Sequence, residues 1–253
     1  MAHVSLRFYA ELNDFLPPQC RQVEFRHPLV GRTSVKDVIE SAGVPHTEVD
    51  LILVNGGSVD FSHLVSDGDR ISVYPVFESL DISPVIRLRP RPLRNPRFIL
   101  DTHLGKLATY LRMLGFDALY RNDYEDAEIV RISCAENRIV LTRDKGLLMR
   151  NAVTHGYWVR ATRSEAQAVE VVRRFDLARQ ARPFTRCLVC NDDLRAVPKE
   201  EVAARLLPKT REYYQDFYIC DSCGRVYWNG SHYERMRRTV ERLLSQVGGG
   251  EEG

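Results

Sequence analysis

Between residues 98 and 175 apolar strand-like runs alternate with helical patterns, and two of the runs end in an aspartate that opens a helix: FILD at 98–101 and RIVLTRD at 138–144. Such alternation implies a parallel sheet flanked by helices. Parallel strands share one carboxyl rim, and open α/β sheets bind their ligands outside it. Carboxylates delivered there from separate strands repel one another unless a cation sits between them. The pattern therefore points to a divalent-metal site, with phosphodiester hydrolysis its most natural use. An aspartate before a helix is also a favoured N-cap, and any one of these acids alone reads more readily as a cap than as a ligand. Two strand-end acids, with Asp126 at the start of the intervening helix, are harder to dismiss together.

Strands are expected at 98–100, near 117–121, at 138–142 and at 157–161. The first helix carries Leu104, Leu107, Ala108, Leu111 and Leu114, with Gly115 as its C-terminal stop. A second helix spans about 125–136 with Ile129, Ile132 and Cys134, and a short third lies near 145–151. The last presents Ala168, Val171, Val172 and Phe175.

Ahead of this region, VSLRFYA (4–10) alternates as a strand does, and a second strand is expected near 22–26. TSVKDVIESAG (33–43) places Val35, Val38 and Ile39 on one helical face before Gly43. LILV (51–54) runs into Asn55-Gly56-Gly57, and Asp67-Gly68-Asp69 turns into RISVYPV (70–76). Strands arranged around one helix make a β-grasp unit. Residues 1–82 carry a net charge of −6 and the remainder +8, so the later part is the better candidate for meeting a polyanion.

The stretch SPVIRLRPRPLRNPR (83–97) reads as an extended connector, because its prolines remove donors and disfavour helix. Arg87, Arg89, Arg91, Arg94 and Arg97 within it either track a phosphate backbone or stay solvated. No run approaches the ~18–20 apolar residues of a membrane span. The N-terminal MAHVSLRFYAEL lacks the basic start and apolar stretch of a signal peptide. The expectation is a soluble cytoplasmic protein without a membrane partner.

Cys187-x-x-Cys190 and Cys220-x-x-Cys223 are separated by 29 residues. Two such knuckles complete a tetrahedral Cys₄ zinc site, structural because no coordination position stays open. Metal binding then supplies much of the folding free energy of so small a segment. Cys20 and Cys134 read as buried small apolar side chains. After the second knuckle, Asn229-Gly230 reads as a turn and Ser231-x-x-Glu234 as a capping box for a final helix. Tyr227, Trp228, His232 and Tyr233 either stack on unpaired bases or pack the ribbon, with packing favoured for Trp228; Arg235, Arg237 and Arg238 are candidates for phosphates.

FILDTHLGKLATYLRMLGFDALY with EDAEIVRISCAENRIVLTRDKGLL resembles the PIN-like nuclease domain known as the Mut-seven C-terminal RNase family. TRCLVCNDDL, PKEEV and YICDSCGRVYWNGSHYERM are similar to the zinc-ribbon extension that accompanies that domain. VSLRFYAEL, LILVNG and DGDRISVYPV resemble the ubiquitin-like, sulfur-carrier-like β-grasp unit sometimes fused ahead of it. The resemblance implies that Asp101, Asp126 and Asp144 are the catalytic ligands of Mg²⁺ or Mn²⁺, with Thr142 and Arg143 supporting them. The family pattern also has basic residues on the first helix, so Lys106 and Arg112 either face substrate phosphates or lie on a solvated helix face. A fourth acid, frequent in PIN domains, has no clear counterpart: Lys145 and Gly146 follow Asp144, and Glu165 and Asp176 lie outside any motif. Sulfur carriers act through a free Gly-Gly terminus. Here the last grasp strand runs on into VFESLDISP, so the unit reads as a docking module for a protein partner.

The expected fold is a mixture of α/β and α+β domains: a β-grasp unit at 1–82, a linker at 83–97, a PIN-like parallel α/β sheet at 98–182, a Cys₄ ribbon with C-terminal helix at 183–247, and a flexible tail at 248–253. The expected activity is metal-dependent hydrolysis of RNA. The alternatives are a non-hydrolytic RNA- or ribosome-associated binding protein, and an adaptor for sulfur-transfer enzymes built on the grasp unit. His232 and Arg235 complete the RNA-contacting candidates.

Overall fold

The computed structural model describes residues 2–75 and 96–248, so the linker up to Asn95 and the tail from 249 lie outside the described residues. The first stretch holds β1 (His3–Phe8), β2 (Phe25–Pro28), α1 (Val35–Ser41), β3 (Val49–Val54), β4 (Gly57–Val59) and β5 (Arg70–Pro75). From residue 98 follow β6 (Phe98–Leu100), α2 (Gly105–Met113), β7 (Ala118–Leu119), α3 (Asp126–Glu136) and β8 (Ile139–Thr142). Then come α4 (Lys145–Leu148), β9 (Gly156–Trp158) and α5 (Ser164–Arg174). The last part holds β10 (Arg195–Val197), α6 (Lys199–Val202), α7 (Pro208–Tyr213), β11 (Phe217–Ile219), β12 (Val226–Trp228) and α8 (Ser231–Gly248). No helix among the described residues is long and apolar enough to cross a membrane.

By internal packing the described residues form two units, 2–75 with 144–158, and 96–143 with 159–248. In the first unit the strand order is β2-β1-β5-β3-β4, with β1 and β5 parallel and the other pairs antiparallel, a β-grasp arrangement. Alternation puts Val4, Leu6 and Phe8 of β1 on the inner face with Ile71 and Val73 of β5. Val35, Val38 and Ile39 of α1 close over them. Ser34 caps α1 by accepting the Asp37 N–H.

Residues 144–158 pack into this unit through polar as well as apolar groups. Glu48 is fully buried, and its Oε1 accepts the Trp158 N–H at 2.6 Å. His46 lies 2.6 Å from Glu40 Oε1 through Nδ1 and 2.9 Å from the Val153 carbonyl through Nε2. The Lys145 ammonium sits 4.5 Å from the Trp158 ring centre and 4.9 Å from that of Phe15, a cation–π arrangement.

In the second unit β7, β6 and β8 form a parallel sheet in that order, Ile99 facing Leu119 on one side and Val140 on the other. All four residues of β8 are buried, as a strand covered on both faces requires. α5 packs against both α2 and α8, and Val240 and Leu243 are the buried positions of α8. The ribbon is a separate antiparallel sheet, β10-β11-β12, over a small core of Val197, Val202 and Phe217.

Several local expectations are corrected. β7 is only two residues long, and α4 stops at Leu148. Cys20 is half-buried against the grasp core and Cys134 is exposed, so neither is a buried core cysteine. Cys134 falls on the outer face of α3, whose inner face is filled by Ile129 and Ile132. α8 opens at Ser231 with the Glu234 N–H bonded to the Gly230 carbonyl, while the Glu234 carboxylate turns to Arg237 instead of closing a capping box.

Candidate metal centres

Asp101 stands at the carboxyl end of β6, where the pleat and the helical turn that follows direct it to the rim. It is 9% exposed. Its Oδ1 accepts the Thr102 N–H at 2.6 Å, capping that turn, and its Oδ2 accepts the Thr142 hydroxyl at 2.7 Å from the end of β8. Thr142 is fully buried, so that bond fixes the carboxylate plane. Asp144, two residues beyond β8, is exposed and caps α4 by accepting the Gly146 N–H at 2.8 Å. Asp126 is half-buried and is the first residue of α3; Glu125, not Asp126, occupies the cap position. Two of the three acids thus do act as caps, and Asp101 holds a second, buried bond that capping does not require.

Among the described residues Asp101, Asp126 and Asp144 do not form a group with all ligand atoms within 4.8 Å; the cysteine quartet does. Carboxylate donors are still the chemistry of hard cations. Mg²⁺ commonly keeps several waters and takes one or two carboxylates directly, so a three-carboxylate contact set is not required of it. Glu165, considered as a fourth acid, accepts from Arg242 at 2.8 Å.

Beside Asp101 an open cleft of about 730 Å³ is lined by His103, Lys106, Tyr120, Thr162, Arg163 and Gln167. Lys106 and Arg163 are exposed there, and no carboxylate is among its described lining residues. The loop that presents Arg163 is clamped from both sides. Glu170 accepts the Arg160 and Ala161 N–H groups, each at 2.8 Å. Gln167 and the Arg143 guanidinium donate to the Ala161 carbonyl, and Arg143 also reaches the Arg160 carbonyl at 3.1 Å. Arg143 therefore shapes the cleft wall through main-chain carbonyls.

Arg112 is not where a phosphate-facing residue would be. It is 4% exposed, and its guanidinium donates to the carbonyls of Ala118 (2.9 Å), Leu188 (3.1 Å) and Val189 (2.9 Å). Burial lowers its proton affinity, while Cys187, Cys190 and Asp117 raise it. It joins α2 to the first cysteine knuckle. Next to it Asn191, at φ 72°, donates to Asp117 Oδ1 at 2.6 Å and accepts the Ala118 N–H at 2.8 Å. Burial alone would raise Asp117, but hydrogen bonds from Arg138 and Asn191 hold its carboxyl below the usual range. Neither Asn191 nor the Asp117–Arg138 pair was expected from sequence; an Asn directly after a CxxC knuckle was the available sign.

The four Sγ atoms of Cys187, Cys190, Cys220 and Cys223 all lie within 4.8 Å of one another, with Cys187 and Cys223 3.6 Å apart and Cys190 and Cys220 3.2 Å apart. A tetrahedron of Zn–S bonds near 2.3 Å puts sulfurs about 3.8 Å apart, so the quartet fits zinc. Burial would raise Cys187, yet the Cys190 N–H and the Tyr227 hydroxyl, 3.1 Å from the sulfur, hold it at about 6. Cys190 is pushed up to about 12, first by burial and then by the neighbouring sulfurs. Four sulfurs this close need a cation to be thiolates together. Tyr227 belongs to this knuckle. His232 and Arg235 lie on α8, both exposed, 3.4 Å apart through Nδ1 and a guanidinium nitrogen.

A parallel α/β domain, a cysteine-quartet ribbon tied to that domain's first helix, α2, and a β-grasp unit are joined in one multidomain chain. The Mut7-C RNAse domain profile matches residues 96–240, and the Mut7-C ubiquitin profile matches residues 1–81. The chain belongs to the Mut7-C RNase family. No curated protein and no solved structure matches it.

Proposed function

We propose that this chain is a metal-dependent ribonuclease that hydrolyses RNA phosphodiester bonds, with Asp101, Asp126 and Asp144 as the ligands of Mg²⁺ or Mn²⁺. Supporting the reading above all is the buried, doubly bonded Asp101 carboxylate, whose neighbour in sequence, Thr102, lines a basic cleft. A hard divalent ion held by such carboxylates lowers the pKa of a bound water and stabilises charge on the leaving oxygen. The Thr142 hydroxyl keeps Asp101 in one orientation, which removes the entropy of aligning it during turnover. Lys106 and Arg163 supply fixed positive charge for phosphates on either side of the scissile bond, and the clamped 160–162 loop keeps Arg163 at the cleft edge. The cysteine quartet holds structural zinc.

A second reading, RNA binding without hydrolysis, draws on the capping bonds of Asp101 and Asp144. End-labelled single-stranded RNA incubated with zinc-loaded protein and Mn²⁺ or Mg²⁺ separates the two. Cleavage that requires the added ion and is lost in Asp101→Asn and Asp144→Asn is the expected result. Tight binding with no turnover in either ion would sink the enzyme reading in favour of the second.

A further inference from the structure

Among the described residues the large apolar side chains left exposed are unevenly placed: five of eight, namely Val189, Leu207, Tyr213, Tyr218 and Trp228, belong to the ribbon. Three of the five line one groove of about 650 Å³ formed by the first knuckle, α7, β12 and the start of α8. Tyr213, the last residue of α7, is 70% exposed and Trp228, the last of β12, is 37% exposed. Gly230 lets the indole lie against its own turn, since a Cβ there would come within 2.9 Å of Trp228 Nε1. Lys209, Arg225 and His232 stand at the groove, and no carboxylate is among its described lining residues. Tyr233 packs against Phe184 with ring centres 4.7 Å apart and planes tilted by 56°, and forms one wall.

Aromatic faces held open between cations match the chemistry of unpaired nucleobases on a phosphate chain. A stacked base needs an exposed ring and is indifferent to its sequence, and each phosphate needs one cation nearby. A protein ligand would equally cover apolar surface, but it gives no reason for cations without a single acid. We propose that this groove is a second RNA site, which binds single-stranded RNA by stacking bases on Tyr213 and Trp228 while Lys209 and Arg225 hold the flanking phosphates. It rests on the reading of RNA as substrate, and it assigns the ribbon a role in gripping the strand beyond being a fold staple.

The chain has two tryptophans, so fluorescence of zinc-loaded Asp101→Asn protein, compared with the same protein carrying Trp228→Phe, isolates the Trp228 signal. An oligouridine and an abasic oligomer of equal phosphate count are titrated without Mg²⁺ or Mn²⁺. Oligouridine is expected to quench Trp228 and the abasic strand not to. Tyr213→Ala should weaken oligouridine binding by about five-fold or more, the scale of one lost stacked base, and Tyr213→Phe should restore it. Tyr213 is exposed, so its truncation leaves the fold intact. Equal affinity for the two strands, or Tyr213→Ala binding as tightly as the parent, would overturn the proposal. So would a self-association that Tyr213→Ala abolishes with RNA binding unchanged, which would give the groove to a second copy of the chain. Cleavage by the wild-type protein is scored separately. Metal-dependent cleavage without Trp228 quenching sinks the groove alone, and quenching without cleavage in any metal sinks the nuclease reading alone.

Discussion

Replacing Arg112 by Met keeps the bulk of a buried side chain and removes its charge and donors. Three main-chain carbonyls, at Ala118, Leu188 and Val189, then lose their partner inside the protein. Hydrogen bonds from a charged donor contribute about 1.5 kcal/mol each at the low end, so about 4.5 kcal/mol is at risk. Part of that is offset because the burial cost of the guanidinium disappears with it. A net loss of about 3 kcal/mol is expected, and domains of this size shift by about 2–4 °C per kcal/mol, which gives a Tm lowered by about 6–12 °C. Leu188 and Val189 are the two residues between the first pair of cysteines, so zinc should also be released to a chromophoric chelator faster than from the parent. The assay is thermal unfolding by circular dichroism with zinc release followed in parallel. A variant with parental Tm and zinc retention but weaker RNA binding would refute the reasoning and return Arg112 to the substrate face.

Other substitutions probe the same seam and the ribbon. Gly115 has φ +91°, and a Cβ there would lie 2.1 Å from the Arg182 carbonyl oxygen, so Gly115→Ala should cost about 3 kcal/mol, read as a lower urea midpoint. Asp117 has its pKa lowered in the fold, so its contribution is present above the unfolded value of about 3.9 and drains away as pH falls through the lower folded value. Urea midpoints between pH 5 and pH 2 should therefore fall steeply for the parent and more gently for Asp117→Asn, the two converging at the acid end. Cys220→Ser should release about one zinc per chain by elemental analysis and open residues 187–228 to protease, because the ribbon core has little besides Val197, Val202 and Phe217.

What could be read from sequence depended on whether the cause was local. Period-two runs such as VSLRFYA and the four buried residues of β8 name themselves, because a strand's burial pattern is written in consecutive residues. The place of Asp101 at a strand end was legible for the same reason: it follows an apolar strand directly. The CxxC spacing likewise declares its quartet. Arg112 and Asn191 were misread or missed because their partners are main-chain atoms or side chains 73 to 77 residues away, which no spacing rule encodes. Tyr214, Ile219 and Val226 complete the ribbon's small core, and Trp228, 37% exposed, keeps part of its ring open beside it. Cys134 failed by one helical position, falling just outside the stripe that Ile129 and Ile132 define.

The passage of the chain through its first unit has a consequence for heredity. A boundary drawn near residue 96 separates the two family profiles cleanly, yet the polypeptide re-enters the first unit at 144–158. Glu48, buried with the Trp158 amide as its partner, and His46, held between Glu40 and Val153, tie that excursion down. Recombination that exchanged the N-terminal segment for another of equal fold would leave the Trp158 amide and the Val153 carbonyl without their side-chain partners in the stretch after Asp144. Because those partners are main-chain atoms, the constraint falls on one side only: whatever stands at 153 and 158, positions 46 and 48 must keep a donor for the Val153 carbonyl and an acceptor for the Trp158 amide.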